Sequence, residues 1–500
     1  MAESGGARPY GLRQGIGLFG GLLALLVVLI APPPVELSLE GWRVAGVAVL
    51  MACWWVGESL PIPVTALVPL ILFPVLGVAP IKEAAHPYAN PLIFLFAGGF
   101  MIALAMQRWG LHRRLALNIL GLVGEKPVMI IAGFMVATAF LSMWVSNTAT
   151  TMMMLPIAMS IIELMAAHDK DGAAATDTFA LVLMLSTAYA ASIGGLGTLI
   201  GTPPNAFLAG FLVETYDFEI GFAQWMMVGL PVVLILLPIT WYLLTHVVHK
   251  VSGGEVVGAR ELIAAEKRGL RKMSAGERWV AVAATCTALA WITRPLINDA
   301  FPGLHLSDAG IALAAALILF AIPIRRGSGE FVLEWATAAK LPWGILLLLG
   351  GGLSLAASIE ASGLASWIVD AIGGLAGLHI LLFVALITAI VVFLTELTSN
   401  AATTAAFLPV VAALALSLGE NPLLLAVPAV LAASCAFMMP VATPPNAIVF
   451  GSGKVRLPQM ARAGLALNFA AIVVLSLLAY ALLTFAFGVE TGVVPGWATG

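Results

Sequence analysis

The sequence predicts an all-α polytopic membrane protein: about 11 transmembrane helices plus two re-entrant hairpins in an inverted repeat. Three observations carry that prediction. The 500 residues are 61% apolar and 10% charged, more hydrocarbon than a soluble domain of this length can bury. A polar motif, Ser142-Met143-Trp144-Val145-Ser146-Asn147-Thr148-Ala149-Thr150-Thr151, interrupts an apolar region and recurs as Thr395-Glu396-Leu397-Thr398-Ser399-Asn400-Ala401-Ala402-Thr403-Thr404. Two other apolar regions are broken by the same string, Thr202-Pro203-Pro204-Asn205-Ala206 and Thr443-Pro444-Pro445-Asn446-Ala447.

A membrane-crossing helix needs roughly 20 apolar residues. Candidate spans run near 15–31, 43–57, 60–79, 91–107, 178–213 (broken), 225–248, 278–297, 308–324, 341–359, 423–450 (broken) and 463–487. The regions 127–166 and 377–418 are apolar on both flanks and polar in the middle. They read as re-entrant hairpins with Ser146-Asn147 and Ser399-Asn400 at their tips; two full crossings apiece is the alternative.

An offset of 253 carries Ser146 to Ser399, Asn147 to Asn400 and Pro156 to Pro409, and also Gly98-Gly99 to Gly351-Gly352 and Gly110 to Gly363. An ungapped register of that length is an internal repeat. Cytoplasmic flanks collect Lys and Arg. With the N-terminus cytoplasmic, all but Arg43, Lys82 and Arg294 of the 23 basic residues fall on the inner side. The basic 249–278 linker separates the halves. The segment after the fourth span carries Arg108, Arg113, Arg114 and Lys126, whereas its repeat partner, about 360–376, carries Glu360 and Asp370 and no base. The copies therefore face opposite sides, the plan of many secondary transporters.

Consecutive prolines beside Asn cannot continue a helix, and they strand backbone carbonyls. At membrane depth such groups persist only inside protein or against a polar cavity. Unwound carbonyls suit a hard cation, and half-helix N-termini suit an anion. Ser, Thr and Asn add neutral oxygens, without the Asp, Glu or His set of a calcium or transition-metal site. Co-bound cations would then balance the anion. A dianion entering a negative interior opposes roughly 4 to 5 kcal/mol per 100 mV, which two or three co-moving cations offset. The bland alternative for each motif is helix capping; four motifs in symmetric register argue against it.

Other residues read as structural. Glu396 is a hydrogen-bonded carboxyl before a proton carrier. Glu58 and His86 sit at span ends. Trp54-Trp55, Trp279 and Trp343 fit an interfacial belt. Met152-Met153-Met154 and the scattered Cys53, Cys286 and Cys435 read as apolar packing. A net charge of −3 without a basic block excludes nucleic acid as a partner.

At the Ser146-Asn147-Thr148 and Ser399-Asn400-Ala401 tips and the paired Thr-Pro-Pro-Asn breaks, the sequence resembles the divalent anion/sodium symporter family over nearly its whole length. The resemblance implies a homodimer in the lipid bilayer, with a dimerising scaffold and a transport domain that slides like an elevator. By position, residues 1–126 and 279–376 are mainly scaffold. Residues 127–248 and 377–500 are mainly transport domain. One sodium site would use Ser142, Ser146, Asn147 and Gly195. The other would use Thr395, Thr398, Asn400 and the carbonyl of Ala442. The substrate would touch Ser146, Asn147, Thr148, Ser399, Asn400, Thr443 and Pro444. Ala401 departs from the Thr many members carry, which bears on the choice of anion.

The expected function is Na⁺-driven uptake of a C4 dicarboxylate such as succinate, malate or fumarate. Na⁺ is the coupling ion, there is no cofactor, and the bacterial inner membrane is the setting. Citrate, sulfate and obligate exchange are alternatives within the family. A passive anion channel would need no cation sites. A membrane hydrolase would need a base near Ser146 or Ser399, and neither tip nor break holds a His.

Overall fold

The computed structural model describes residues 11–168, 173–251, 255–325, 327, 329–372 and 379–498. Among them the chain is helical, with one isolated β-bridge between Pro323 and Phe331. The first half runs α1 (Leu12–Ile30), α2 (Leu39–Gly57), α3 (Ile62–Thr65), α4 (Val68–Leu76), α5 (Ile81–Ala85), α6 (Pro91–Trp109), α7 (Leu111–Leu120), α8 (Pro127–Ser142), α9 (Asn147–His168), α10 (Ala173–Gly195), α11 (Pro203–Tyr216) and α12 (Phe222–Tyr242). The linker forms α13 (Ala259–Gly269). The second half runs α14 (Ala275–Ala300), α15 (Asp308–Ala321), α16 (Trp335–Ala338), α17 (Trp343–Ala361), α18 (Leu364–Ile372), α19 (Ile380–Thr395), α20 (Asn400–Ser417), α21 (Leu423–Ala433), α22 (Pro444–Gly451) and α23 (Leu457–Phe487).

Local chemistry sets many of these boundaries. Ser38, Asn90 and Ser307 accept backbone N–H bonds at the starts of α2, α6 and α15. Ser274 and Glu277 close a reciprocal capping box on α14. α6 and α17 each end at a glycine with a positive φ of 74°, Gly110 and Gly363, where a side chain would strain the turn into α7 and α18.

The repeat is visible element by element. Shifting α8 by 253 residues lands on α19, and the start of α9 lands on the start of α20. The packing is reciprocal. α8 lies on α10 and α19 on α21, while α9 reaches across to α22 and α20 to α11. α10 is buried nearly throughout, whereas α1, α14 and α23 present mostly exposed apolar faces. α6 packs on α14 and α15, and α17 against α3, α4 and α11.

Ten helices among the described residues are long and apolar enough to cross a membrane. That is one fewer than the expected count, and two of the ten are α9 and α20, second arms of the expected hairpins. At 16 residues each, α8 and α19 span about 24 Å, short of a bilayer core. The segment 60–79 is not one span: it divides into α3 and α4 at Ala66-Leu67, just before Pro69 in the first turn of α4. α15 is also shorter than expected, at 14 residues. Residues 373–376, which end the base-free counterpart of the Arg113 segment, lie outside the described residues, as does the Asp370 side chain.

Trp279 and Trp343 are half exposed, as an interfacial belt requires, but Trp55 is buried, its indole N–H donating to the Ile62 carbonyl. Cys435 is buried, while Cys286 is exposed on α14 rather than packed in the core. The linker is held under α7. Arg113 pairs with Glu266 at 2.6 Å, and Arg114 binds Glu277 and donates to the Arg271 carbonyl. Arg108 bonds Glu334 at 2.8 Å, which holds that carboxyl below its usual range.

Candidate functional site

Each hairpin tip is a four-residue turn, Met143–Ser146 in one and Glu396–Ser399 in the other. Across the first turn, the Ser142 hydroxyl donates to Asn147 Oδ1 at 2.6 Å. Across the second, the Thr395 hydroxyl donates to Asn400 Oδ1 at 2.8 Å. Thr151 and Thr404 each donate to the carbonyl of that same asparagine at 2.8 Å. A hydroxyl from the first arm thus fixes each tip carboxamide, and one from the second arm binds the same residue's backbone carbonyl.

The tips meet the breaks. The Thr198 hydroxyl donates to the Met143 carbonyl at 2.6 Å, and the Thr395 hydroxyl shares its one proton between Asn400 Oδ1 and the Ala433 carbonyl, each 2.8 Å away. Gly195 lies so close to the first tip that a β-carbon there would stand 2.9 Å from Asn147 Oδ1 and 3.0 Å from the Gly201 carbonyl. Only glycine fits. Within the breaks, Asn205 Nδ2 donates to the Gly195 and Thr198 carbonyls, and Asn446 Nδ2 to those of Ala436 and Met439. The Oδ1 atoms of both asparagines are buried without a protein partner, as are the Ser192 and Ser434 hydroxyls.

One cavity of about 710 Å³ brings the four motifs together. All seven expected substrate residues, Ser146, Asn147, Thr148, Ser399, Asn400, Thr443 and Pro444, line it. Of the expected sodium ligands, Ser146, Asn147, Asn400 and Ala442 also line it. Ser142, Gly195, Thr395 and Thr398 lie buried behind the tips. The Thr398 hydroxyl donates to the Leu394 carbonyl at 3.0 Å and is hydrogen-bonded to Thr403. Among the described residues no cluster of three His, Cys, Asp or Glu side chains could hold a transition metal. The donor set is neutral oxygen, which fits an alkali cation bound by unwound backbone and hydroxyls.

The capping explanation holds in part. Ser146 accepts from Ala149 N at 3.3 Å, and Thr443 from Asn446 N at 3.3 Å, so both serve as caps. Ser399 and Thr202 make no side-chain cap bond and face the cavity. Thr202 was missed as a site residue, although its place in the first Thr-Pro-Pro-Asn string matches that of Thr443. Also missed were Gln107 and Lys340 on the opposite wall, and Met152, exposed on α9 rather than packed. Glu58, expected at a span end, lines the cavity too and pairs with Arg13 at 3.7 Å. No sequence motif marks Lys340 or Gln107, because α6 and α17 reach the site only through tertiary packing.

Glu396 is not in the cavity. Its carboxylate accepts from the backbone N–H groups of Phe437, Met438 and Met439 at 2.7, 2.8 and 3.0 Å, and from Asn468 Nδ2 at 2.8 Å. It fills the donor concavity of the second break, the structural role expected of it.

Known proteins share this organisation. Two relatives named sodium-dependent dicarboxylate transporter SdcS, from Staphylococcus aureus strains bovine RF122 and USA300, are each 41% identical over 496 residues. Those alignments cover 98% of this chain and 95% of the relatives. Two solved structures share the fold at low identity. Alcanivorax borkumensis YdaH matches at TM-score 0.60 and 14% identity, covering 95% of this chain and 99% of that one. Neisseria gonorrhoeae MtrF matches at 0.57 and 12%, covering 93% and 94%. The family model described as the sodium:sulfate symporter transmembrane region matches residues 14–485, so the chain belongs to that transporter family, the divalent anion/sodium symporters.

Proposed function

We propose that the protein couples inward Na⁺ movement to uptake of a divalent anion, with a C4 dicarboxylate such as succinate, malate or fumarate as substrate. The observation that carries this reading is the single cavity in which both hairpin tips and both helix breaks present neutral oxygens and helix N-termini. The Staphylococcus relatives, named for sodium-dependent dicarboxylate transport, support the choice of ion and anion.

In this reading one sodium ion is held by Ser142, Ser146, Asn147 and Gly195, and the other by Thr395, Thr398, Asn400 and Ala442. Ser146, Asn147, Thr148, Ser399, Asn400, Thr443 and Pro444 contact the anion. The hairpins are re-entrant, and they move with α10–α12 and α21–α23 as an elevator against a scaffold of α1–α7 and α14–α18. The molecule is a homodimer in a bacterial plasma membrane with its N-terminus cytoplasmic. Reciprocal packing of each hairpin onto the other half's broken helix supports their moving as one body.

The test is uptake of radiolabelled succinate into proteoliposomes under an inward Na⁺ gradient, against K⁺ replacement and against preloaded vesicles without a gradient. Accumulation that requires Na⁺ is expected. Na⁺-independent uptake restricted to preloaded vesicles would establish an exchanger, and Na⁺-independent flux without preloading a channel. Asn147→Ala and Asn400→Ala are each expected to raise the half-saturating Na⁺ concentration about tenfold or more. Unchanged sodium dependence in both would remove the tips from the site.

A further inference from the structure

We infer that Lys340 is the capture group for the divalent anion on the wall opposite the hairpins, and that it works through long-range attraction rather than a fixed contact. The inference rests on the proposed divalent-anion reading. The hairpin tips and breaks bring no Lys or Arg to the cavity. The facing wall, from the turn after α2, α3, α6, the turn before α17 and α17 itself, is apolar except for Glu58, Gln107 and Lys340. Glu58 is balanced by Arg13, whose guanidinium also donates to the Val56 carbonyl and, at 2.6 Å, to the Leu397 carbonyl of the second tip. Among the described residues Lys340 makes no ion pair and no side-chain hydrogen bond. It is the cavity's one uncompensated cation among them.

Its position is fixed by the backbone. Lys340 N donates to the Thr337 carbonyl at 3.1 Å, closing α16, and Pro342 then starts α17. Lys340 therefore stands in the turn between α16 and α17, its exposed side chain lining the cavity. Arg108, which pairs with Glu334 six residues before Lys340, and the α7 arginines against the linker fall on the same expected inner face. An exposed cation above a cleft with apolar walls concentrates field lines, and it raises the encounter rate of an anion without a desolvated bond. Such an effect fades when the Debye length shrinks to a few ångströms. It also acts only from the side on which Lys340 stands.

Everted membrane vesicles expose the linker face, and intact cells expose the other. Half-saturating concentrations of succinate, citrate and sulfate would be measured on both, with Lys340→Gln and Lys340→Arg beside the wild type. At low ionic strength Lys340→Gln is expected to raise the half-saturating concentration about three- to tenfold in everted vesicles only. Lys340→Arg should restore it, and 0.5 M choline chloride should erase the difference, about as expected for a screened charge. Unchanged values for Lys340→Gln beside an active wild type would overturn the capture role alone. An Arg variant as weak as Gln, or a defect that salt does not reduce, would assign Lys340 to packing instead. Transport of another of the three anions in place of succinate would correct the substrate and leave Lys340 to be judged on that anion. A wild type that carries none of them overturns both readings.

Discussion

In the first break, Leu196 to Thr202 separate α10 from α11; in the second, Ser434 to Thr443 separate α21 from α22. The two share the Thr-Pro-Pro-Asn string and an asparagine that stitches their carbonyls, yet they satisfy their freed backbone differently. Both keep turn bonds, in the second from Ser434 N to Leu431 O, Cys435 N to Ala432 O and Ala442 N to Met439 O, and the first relies on turns and close packing without a carboxylate. Leu196 N donates to Ile193 O, Gly197 N to Gly194 O, and Gly201 N to Thr198 O. The Leu196 carbonyl takes the Trp225 indole N–H at 3.0 Å. A β-carbon on Gly194 would sit 2.3 Å from the Ala139 carbonyl, and one on Gly201 2.3 Å from the Gly195 carbonyl. The second break is longer and carries Cys435, Phe437 and Met438, and it too is approached by a glycine, since a β-carbon on Gly464 would sit 2.2 Å from the Phe437 carbonyl. Three consecutive N–H groups there turn to the Glu396 carboxylate, and the Phe437 carbonyl takes the Tyr189 hydroxyl at 2.7 Å. Unwinding a helix in a dry interior strands donors as well as acceptors. Glycine packing serves both halves, and the second adds the Glu396 carboxyl as an acceptor for three N–H groups.

The largest effect that would break this comparison lies at Glu396. Glu396→Gln keeps the shape but removes the charge from four donors, and turns an amide NH₂ toward backbone N–H groups. The expected loss is on the order of 3 kcal/mol or more, seen as a lower thermal unfolding midpoint in detergent and less folded protein in the membrane. Met143 occupies the matching place in the first tip, and Met143→Leu should cost under about 1.5 kcal/mol. A Glu396→Gln protein of normal stability that fails only in transport would move Glu396 from scaffolding into the transport cycle.

Gly195 separates the two halves next. A methyl at Gly195 must displace the Asn147 carboxamide, so Gly195→Ala is expected to raise the half-saturating Na⁺ concentration about tenfold while the protein still folds. The corresponding stretch of the second break already holds a β-carbon at Ala436. Ala436→Gly should cost about 1 kcal/mol of stability or less and leave sodium dependence alone. Equal sodium defects in both variants would mean that sodium dependence reflects general looseness of the breaks rather than the Gly195–Asn147 approach.

The same contrast shows what could be read from the chain. The hairpin arms were legible because a ten-residue polar motif recurs at an offset of 253, and both breaks because the Thr-Pro-Pro-Asn string recurs, at its own offset of 241. The first offset even placed Gly110 and Gly363 in the same left-handed turn. The breaks' different solutions were not legible, since they depend on Trp225, Tyr189 and Asn468, each far along the chain from the atom it bonds. The division of 60–79 was visible in Pro69 but outweighed by apolar composition. Lys340 and Gln107 lay hidden for the same reason as the scaffold wall itself: nothing local says which face of α6 or which end of α17 meets the hairpins.

The smallest effect distinguishes the two threonines of the repeated string. Thr443 accepts from Asn446 N and caps α22, whereas Thr202 makes no such bond and turns its side of the break to the cavity. Removing a cap hydroxyl costs about 1 kcal/mol, so Thr443→Ala should lower the unfolding midpoint. Thr202→Ala should leave stability within about 0.5 kcal/mol. If the Thr202 hydroxyl serves the cavity's contents, its loss appears in the half-saturating concentration of anion alone, by a factor of about two to five for one neutral hydrogen bond. Thr443→Ala should show both changes together, because that hydroxyl caps a helix from the cavity wall. Parallel melting curves and uptake titrations on the two variants separate these outcomes. Equal loss of stability would make the breaks symmetric after all, and would return the Thr202 hydroxyl to capping.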